Sequence, residues 1–529
     1  MSPCDDAPPK ANTIRSMCAA AQVTANAVSG RFIRLLGTNF LDHTAESVTG
    51  NGDFDGDGRI DIALGIPDAP PTGEGRPGTG SINLITYSLG ITTRGSAPRQ
   101  TLLRDVHYRI NGTYIEGQFG DKVVFVDLDK DGLDDLVVSA TYASPLNRER
   151  AGQVYVIWGR TDFADAWSKG FYDDIESLPA QYVLRIPGEM RMQSFGSSLA
   201  DAGDFDKDGY KDLIIGAQDS GVDGRSRSGD AFILYGRARH LFGENPIDIT
   251  KTRSTRISGP QAFANFGSAV SGGDVNNDLY SDVVVGAPWG GIPAGTGVAY
   301  VIFGRPNPPA LIDLLNASYL QQDGKWNFLT LEGEAKAVGW ANFGKAVSIL
   351  GDVKVDGFRD IAVSAPLLDN AAKVKEAGRL YVFFGREEPV ASLSITSLLG
   401  YEGGFIVDGT GVGDFFGSSI ASGFVDFNGD GYADILTSSP SRTVSAKLQV
   451  AGEATVIYGR CTRFPATIPI RGKVFQGVGT HIQSQRGQEN LGISVAAAGD
   501  LDRDGRTDLL LGAHFSDRER GAAYIAFSC

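Results

Sequence analysis

Cysteine is scarce. Cys4, Cys18, Cys461 and Cys529 are the four cysteines of 529 residues, and none has the CxxC spacing of a zinc site. An even count allows two disulfides at most, too few to be the main scaffold. Basic charge is also short, with 48 Lys and Arg against 63 Asp and Glu and a formal net charge of −15. That balance argues against a nucleic-acid partner, which asks for basic patches, and against electrostatic docking on anionic lipid. No run approaches the roughly 18–20 apolar residues that span a bilayer as a helix, so membrane insertion is not expected. The start of the chain, MSPCDDAPPKANTIRSMCAAAQ, carries acid where a secretory leader carries base, and it lacks an apolar core. Secretion cannot be derived from it: a leader lies outside the chain, export takes another route, or the protein stays inside. Histidine is rare too. His43, His107, His240, His481 and His514 stand in no motif spacing, and no nucleophile elbow or zinc motif appears. No catalytic constellation is found, so enzymatic activity is not expected.

Glycine and acid are abundant instead. Glycine accounts for 69 residues, about 13% against a usual 7%, without a three-residue period, while 42% of residues are apolar. A turn-rich all-β chain with a sizeable core fits both figures. The acid is concentrated in short loops such as Gly52 to Gly65, GDFDGDGRIDIALG. The loop recurs, starting at Asp53, Asp127, Asp204, Asp274, Asp352, Asp426 and Asp500, at spacings of 74, 77, 70, 78, 74 and 74 residues. So steady a period means a repeat architecture and overrides a domain count by length.

The copies share their punctuation. A Phe-Gly pair opens a short strand eight to ten residues before the loop: Phe119-Gly120, Phe195-Gly196, Phe266-Gly267, Phe343-Gly344 and Phe416-Gly417, with Leu491-Gly492 in the seventh copy and no clear equivalent in the first. After the loop comes a continuous apolar strand ending in a small-residue turn (DLIIGAQ, DVVVGAP, DIAVSAP, DLLLGAH). A third strand ends in Gly-Arg (VYVIWGR, AFILYGR, LYVFFGR), and a less regular fourth follows (YVLRIPG, FLTLEG). Runs of four to seven β-branched and aromatic residues bounded by Gly, Pro and Asp are strands. The expectation is an all-β fold: a seven-bladed β-propeller of four-stranded antiparallel blades. Its closed ring would leave only protected sheet edges.

The ends suggest how it closes. RFIRLLG (31–37) reads as a fourth strand without its first three, and GAAYIAFSC (521–529) as a third strand without its fourth. The N-terminal strand is expected to complete the last blade. Residues 1–30 then form an irregular tail and 31–529 one propeller. Cys461 and Cys529, at the exits of third strands on neighbouring blades, are each expected to pair with Cys4 or Cys18.

The loop reads D-x-D-x-D-G-x-x-D. Side-chain oxygens at positions one, three, five and nine and the carbonyl at seven converge if glycine at six permits the turn, and a hard cation such as calcium takes six to eight oxygens. Four crowded carboxylates repel without an ion and are ordered by one. An EF-hand loop would need an acidic ligand at position twelve, where this chain has Leu64, Val138, Ile215, Val285, Val363, Thr437 and Leu511.

Candidate ligands in the first three loops are Asp53, Asp55, Asp57, Arg59 and Asp61; Asp127, Asp129, Asp131, Leu133 and Asp135; Asp204, Asp206, Asp208, Tyr210 and Asp212, the residue at seven giving its carbonyl. The seventh loop offers Asp500, Asp502, Asp504, Arg506 and Asp508. The sixth offers Asp426, Asn428, Asp430, Tyr432 and Asp434, with an amide oxygen at three. The fourth offers Asp274, Asn276, Asp278, Tyr280 and Asp282 but has Leu279 in place of glycine, a left-handed position that costs roughly 1–2 kcal/mol. In the fifth, Lys354 stands at position three among Asp352, Asp356 and Asp360. Six calcium ions at most are expected, and none in the fifth loop.

Together the Phe-Gly pairs, the Gly-Ala-Pro turns (286–288; variants at 364–366 and 65–67) and the DxDxDGxxD loops resemble FG-GAP repeats, which build the seven-bladed head of integrin α subunits. The resemblance covers residues 31 to 529. It implies calcium loops that stiffen blades on a lower face and partners that meet the opposite, upper face. Trp289, Trp340, Tyr142 and Arg225 are the conspicuous residues of that upper face, as exposed aromatics and arginines often anchor recognition. A structural role for both tryptophans, packed against blade neighbours, competes with this. The expected function is a calcium-stabilised extracellular or cell-surface module binding a protein or glycan, in cell adhesion. The alternatives are a propeller enzyme acting on polysaccharide or phospholipid, and a lectin, which the dissimilar loops after Gly-Ala-Pro disfavour. Asn111-Gly-Thr113 and Asn316-Ala-Ser318 fit glycosylation sequons.

Overall fold

The computed structural model of the protein describes residues 23–25, 32–37, 42–70, 78–86, 99–102, 108–163, 171–172, 174–221, 224–316, 321–322, 325–336, 339–387, 390, 392–394, 403–471, 475 and 477–528. Seven of its eight sheets are propeller blades, and the eighth is a short hairpin of Gln321–Gln322 with Lys325–Trp326. Blade one runs through Ser47–Gly52, Asp61–Ile66, Ser81–Ile85 and Tyr108–Asn111. Blade two has Phe119–Val126, Asp135–Ala140, Gln153–Ile157 and Val183–Pro187, and blade three Phe195–Gly203, Asp212–Ala217, Asp230–Leu234 and Ser254–Ser258. Blade four comprises Ala269–Gly273, Asp282–Ala287, Val298–Ile302 and Phe328–Glu332. Blade five comprises Val347–Ile349, Ile361–Ala365, Arg379–Phe383 and Gly404–Asp408. Blade six has Ile435–Ser439, Glu453–Ile457 and Gly479–Ser484. Blade seven joins Val495–Gly499, Asp508–Ala513 and Ala522–Ala526 to Phe32–Leu36 from the start of the chain. Phe32–Leu36 pairs antiparallel with Ala522–Ala526, Phe32 opposite Ala526 and Leu36 opposite Ala522, so the ring closes as the ends of the sequence imply.

Every second strand is buried along its length. It lies in the middle of its blade and the neighbouring blades cover both faces, which is why these segments are continuous apolar runs. Seven apolar cores result, one between each pair of neighbours. The last unites Val48, Ile62 and Leu64 of blade one with Ile33, Leu35, Leu510 and Ile525 of blade seven.

A glycine with φ of +76 to +88° precedes each third strand: Gly80, Gly152, Gly229, Gly297, Gly378, Gly452 and Gly521. The next blade's Phe-Gly backbone lies against it. A Cβ on Gly229 would stand 2.0 Å from the Phe266 carbonyl oxygen, so this position needs glycine twice over, for its φ and for the close approach. The same contact finds the first copy's missing pair. Thr44 bridges Gly521 as Phe266 bridges Gly229, and the Ala45 amide donates to Gly65 O at 3.0 Å as Gly267 does to Gly286. Thr44-Ala45, with Ala45 at φ +69°, is the first repeat's Phe-Gly. Its chemistry differs too much for a motif to reveal it.

Two further corrections arise. In the sixth copy the strand expected after Phe416-Gly417 is a single bridge, Ile420 to Thr437, because Gly423 turns left-handed (φ +81°) before a ladder forms. Beyond the four antiparallel strands expected, five blades carry a fifth. Short parallel strands line the outer edges: Phe171–Tyr172 on blade one, Leu311–Asp313 on three, Ser392–Ser394 on four, Thr467–Pro469 on five and Arg99–Leu102 on seven. Each comes from the connection between the third and fourth strands of the next blade. Blade two receives the equivalent contact from Asn245 and Ile247, which bond the backbone of Arg185 at both its N–H and its carbonyl, each at 3.0 Å. Val23–Ala25, inside the stretch expected to be irregular, is the edge strand of blade six, pairing parallel with Ile482 to Ser484. An exposed sheet edge offers unpaired N–H and C=O groups, and here each neighbour covers one. The expected pairing of Cys461 and Cys529 with Cys4 or Cys18 lies outside the described residues.

Candidate metal centres

The seven acidic loops are the hairpin tips between first and second strands and share one hydrogen-bond scheme. The carboxylate at position one accepts from the amide at position six, as in Gly209 to Asp204 (2.8 Å), Leu279 to Asp274 (2.9 Å) and Gly357 to Asp352 (2.7 Å). The carboxylate at five accepts from the amide at seven. Position six is left-handed throughout, and Leu279 adopts φ +71° in the fourth loop as glycine does elsewhere. Position four is left-handed as well, through Gly56, Lys130, Lys207, Asn277, Val355, Gly429 and Arg503, a requirement the sequence pattern does not announce.

Position nine has a second task. Asp61, Asp135, Asp212, Asp282, Asp360, Asp434 and Asp508 are fully buried. One carboxylate oxygen accepts from the amide at position two, as in Phe205 to Asp212 at 2.8 Å. In blades two to six the other accepts from the glycine that ends the third strand, as in Gly236 to Asp212 at 2.9 Å, and in blade seven from Ser528. This accounts for the Gly of the Gly-Arg exits. The adjoining Arg160, Arg237, Arg305, Arg386 and Arg460 donate their backbone N–H to position two of the preceding blade's loop. Burial pushes the position-nine acids up despite these bonds: Asp61 and Asp212 to about 8, Asp508 to about 7, and Asp135, Asp282, Asp360 and Asp434 well above the usual carboxylate range.

Carboxylates gather closely enough to share an ion in four loops. One oxygen each from Asp53, Asp55 and Asp57, from Asp127, Asp129 and Asp135, from Asp204, Asp206 and Asp212, and from Asp500, Asp502 and Asp504 lie within 4.8 Å of one another. These are the loops with four aspartates. In the second and third, Oδ1 of Asp129 and of Asp206 is buried without a hydrogen-bond partner, a costly state for a carboxylate oxygen unless a cation supplies the missing contact. An all-oxygen acidic donor set of this kind suits calcium, so the residues present fit the ion. In the fourth and sixth loops Asn276 and Asn428 donate to Asp278 and Asp430, each at 3.0 Å, and their amide oxygens accept from the backbone N–H at position five, at 3.1 and 2.9 Å. In the fifth, Lys354 Nζ stands 2.9 Å from Asp356 and 4.8 Å over the Phe384 ring.

On the opposite face, the loops between blades and those after the second strands interleave. Trp289 and Trp340 pack edge to face, with ring centroids 4.6 Å apart at 74°, yet stay 36% and 54% exposed. Phe263, 62% exposed, lies in the preceding interblade loop, whose Ala264 carbonyl accepts from the Trp289 amide at 3.3 Å, and Ile292, 95% exposed, stands in the same turn as Trp289. Neither Phe263 nor Ile292 stands out in the sequence. Tyr142 lies under the Arg150 guanidinium at 5.3 Å. Arg225 is largely buried and makes two 2.8 Å bonds to Asp313, which commits its charge to holding an edge strand. The fold also unites two histidines far apart in sequence: His43 and His514 have centroids 5.7 Å apart, with His43 bonded to Asp68 at 2.8 Å and His514 to Glu46. Of the sequons, Asn111 is fully buried and accepts from Arg109, so it presents no amide for glycosylation, whereas Asn316 is exposed.

Fold and loops together define a seven-bladed propeller with acidic hairpin tips on one face. Residues 119–157, 266–302, 416–457 and 491–525, the first to third strands of blades two, four, six and seven, match the FG-GAP repeat family. The chain is an FG-GAP repeat protein that resembles the integrin α propeller. It is 28% identical to integrin alpha-5 of Xenopus laevis over 66% of its length and 29% of that protein. It is 26% identical to phosphatidylinositol-glycan-specific phospholipase D of Rattus norvegicus over 73% of its length and 42% of that protein. The chain thus spans less than half of either relative. Among solved structures the Dos1 propeller aligns with 93% of the chain at 10% identity and a TM-score of 0.41, too weak a likeness to carry an argument. No helix among the described residues is long and apolar enough to cross a membrane.

Proposed function

We propose that this chain is a calcium-stiffened extracellular binding module, integrin-α-like, which engages a protein partner through its upper face in cell adhesion. The observation that carries the reading is the apolar patch of Phe263, Trp289, Ile292 and Trp340, opposite the acidic tips. Exposed aromatic and aliphatic side chains on a rigid scaffold are what a protein anchor residue packs against. The amide in that turn, Gln261, is taken up by the Gly291 backbone at 2.9 and 3.3 Å, which leaves a face suited to a protein rather than to a glycan. Calcium would be held by the aspartates of loops one, two, three and seven, with four and six as weaker sites. It would neutralise their crowding and fix the hairpin tips. Open loops of this type bind in the range of about 10⁻⁴–10⁻³ M, which supports a location where calcium is abundant, outside the cell. An extracellular-protein and glycan array read with and without chelator tests this. The expected result is a calcium-dependent protein ligand whose affinity falls at least about tenfold in Trp340→Ala while the melting temperature holds. Ligands only among glycans, or binding indifferent to Trp340, would overturn it.

A second reading, a propeller hydrolase, draws on the paired His43 and His514, each backed by a carboxylate, as general acid–base groups are. Turnover of a polysaccharide or phospholipid that His514→Ala abolishes would establish it.

A further inference from the structure

The first strands form the inner ring of the propeller: those of blades seven, one, two, three, four and five pack side by side in that order. Where these strands start, on the upper face, the ring carries charge. Asp121 and Lys122 follow Phe119-Gly120 in blade two, and Lys345 follows Phe343-Gly344 in blade five. Blades two and five are not neighbours, yet the charges of Lys122 and Lys345 act on each other. Inner strands of non-adjacent blades meet only across the axis, so both ammonium groups face the mouth of the central channel.

The two lysines differ in their partners. Lys122 Nζ bonds Asp121 Oδ1 at 2.6 Å and the Asp121 carbonyl at 3.1 Å, and Asp121 Oδ2 accepts from Thr141 at 2.5 Å. Both oxygens of that acid are engaged. Glu46, at the same place in blade one, acts on Lys122 and is bonded to His514. Lys345 is open to solvent along the axis and makes no hydrogen bond or ion pair among the described residues. Its enclosure by the inner ring, and then the Lys122 ammonium, hold its amine below the usual lysine range, and Asp121 offsets only part of this. An ammonium enclosed without a counter-charge is costly, and a carboxylate arriving along the axis would supply one. Lys345 also adjoins the apolar patch. Trp340 precedes it on the same interblade connection, and the Ala341 and Asn342 amides pin the backbone between them to Gly295 O at 3.0 and 3.3 Å. Anchor and charge are thus held in a fixed relation.

We propose that Lys345, backed by Lys122, is the acid-receiving site of the upper face: a protein partner seated on Trp340 and its neighbours inserts an Asp or Glu side chain into the channel mouth and pairs its carboxylate with the Lys345 ammonium. This rests on the upper-face reading above and adds the chemistry the partner must present. A carboxylate suits the mouth better than phosphate, whose second charge Asp121 and Glu46 would repel.

NMR of the full chain with isotope-labelled dimethyl groups on its lysines, which keep their charge, tests the site; the Lys345 signal is the one missing from Lys345→Arg. N-acetylglutamate α-amide is expected to move that signal to saturation. Its glutamine counterpart should leave the signal in place, and inorganic phosphate at equal ionic strength should move it less. A Lys345 signal that stays fixed, drifts with ionic strength as the other lysines do, or answers phosphate more strongly would overturn the site. On the extracellular-protein array, Lys345→Met is expected to weaken the protein ligand at least about tenfold and Lys345→Arg less, with the melting temperature unchanged. A ligand lost in Trp340→Ala but indifferent to Lys345→Met would overturn the axial site and leave the upper-face reading standing. Saturable glutamate binding at Lys345 with no protein ligand on the array would do the reverse.

Discussion

Leu279 illustrates how much one backbone angle decides. The turn needs φ near +70° there, which costs a non-glycine residue roughly 1–2 kcal/mol, and the 66% exposed side chain recovers little by burial. Leu279→Gly is expected to tighten calcium binding at the fourth loop, visible as an added or stronger site in calorimetric titration, with unfolding free energy changed by no more than about 1 kcal/mol. The buried acids predict a pH effect. Folded Asp61 and Asp212, at about 8, and Asp508, at about 7, are raised by burial, so the native apo protein binds protons that the unfolded chain, near pH 4, has released. Their contribution is intact below about pH 4 and lost as pH rises towards 8. Calcium requires the ionised form and reverses the trend. The gap in melting temperature between calcium and EDTA samples should therefore widen from pH 5 to pH 8; a constant gap would contradict this. Position six could be read from the sequence because glycine recurs at a fixed place. The contacts of Arg239 with Asp129 and of Arg253 with Asp206 could not, since each arginine reaches its loop through the fold, from 110 and 47 residues away. Arg225 misled for the same reason: its partner Asp313 lies 88 residues away.

At the scale of elements, periodicity carried most of the reading. Second strands are continuous apolar runs because they are covered on both faces, and that signature is local. Edge strands of two to four residues have no pattern of their own; a neighbour's exposed backbone recruits them. The glycine before each third strand marks an interblade contact and can be tested alone. Gly229→Ala would force a Cβ to within 2.0 Å of Phe266 O and is expected to cost more than about 2 kcal/mol in denaturant unfolding. Gly413→Ala, also at a positive φ (+66°) but with open space around it, should cost only about 1 kcal/mol. Equal losses would mean that strain, not the approach of the next blade, fixes the residue.

The whole molecule depends on the strand Phe32–Leu36. Phe32, Ile33, Leu35 and Leu36 are buried in the last blade, and four such side chains represent roughly 6–12 kcal/mol of apolar burial, comparable with the entire stability of about 5–15 kcal/mol usual for a folded domain. Deleting residues 1–36 should therefore abolish a cooperative melt and drive association through the uncovered edges of blades six and seven, read by calorimetry and size-exclusion chromatography. A monomeric, cooperatively melting truncation would show that six blades and a remnant suffice.

That closing segment also orders events in time. A ribosome releases Phe32–Leu36 almost five hundred residues before its partner, Ala522–Ala526. Throughout translation the strand must wait, apolar and unpaired, for the final blade to arrive. Whatever shields it in the interval, a chaperone or a transient pairing with an earlier sheet, has to let go when the final blade appears, so the strand that closes the ring is made long before it can be folded.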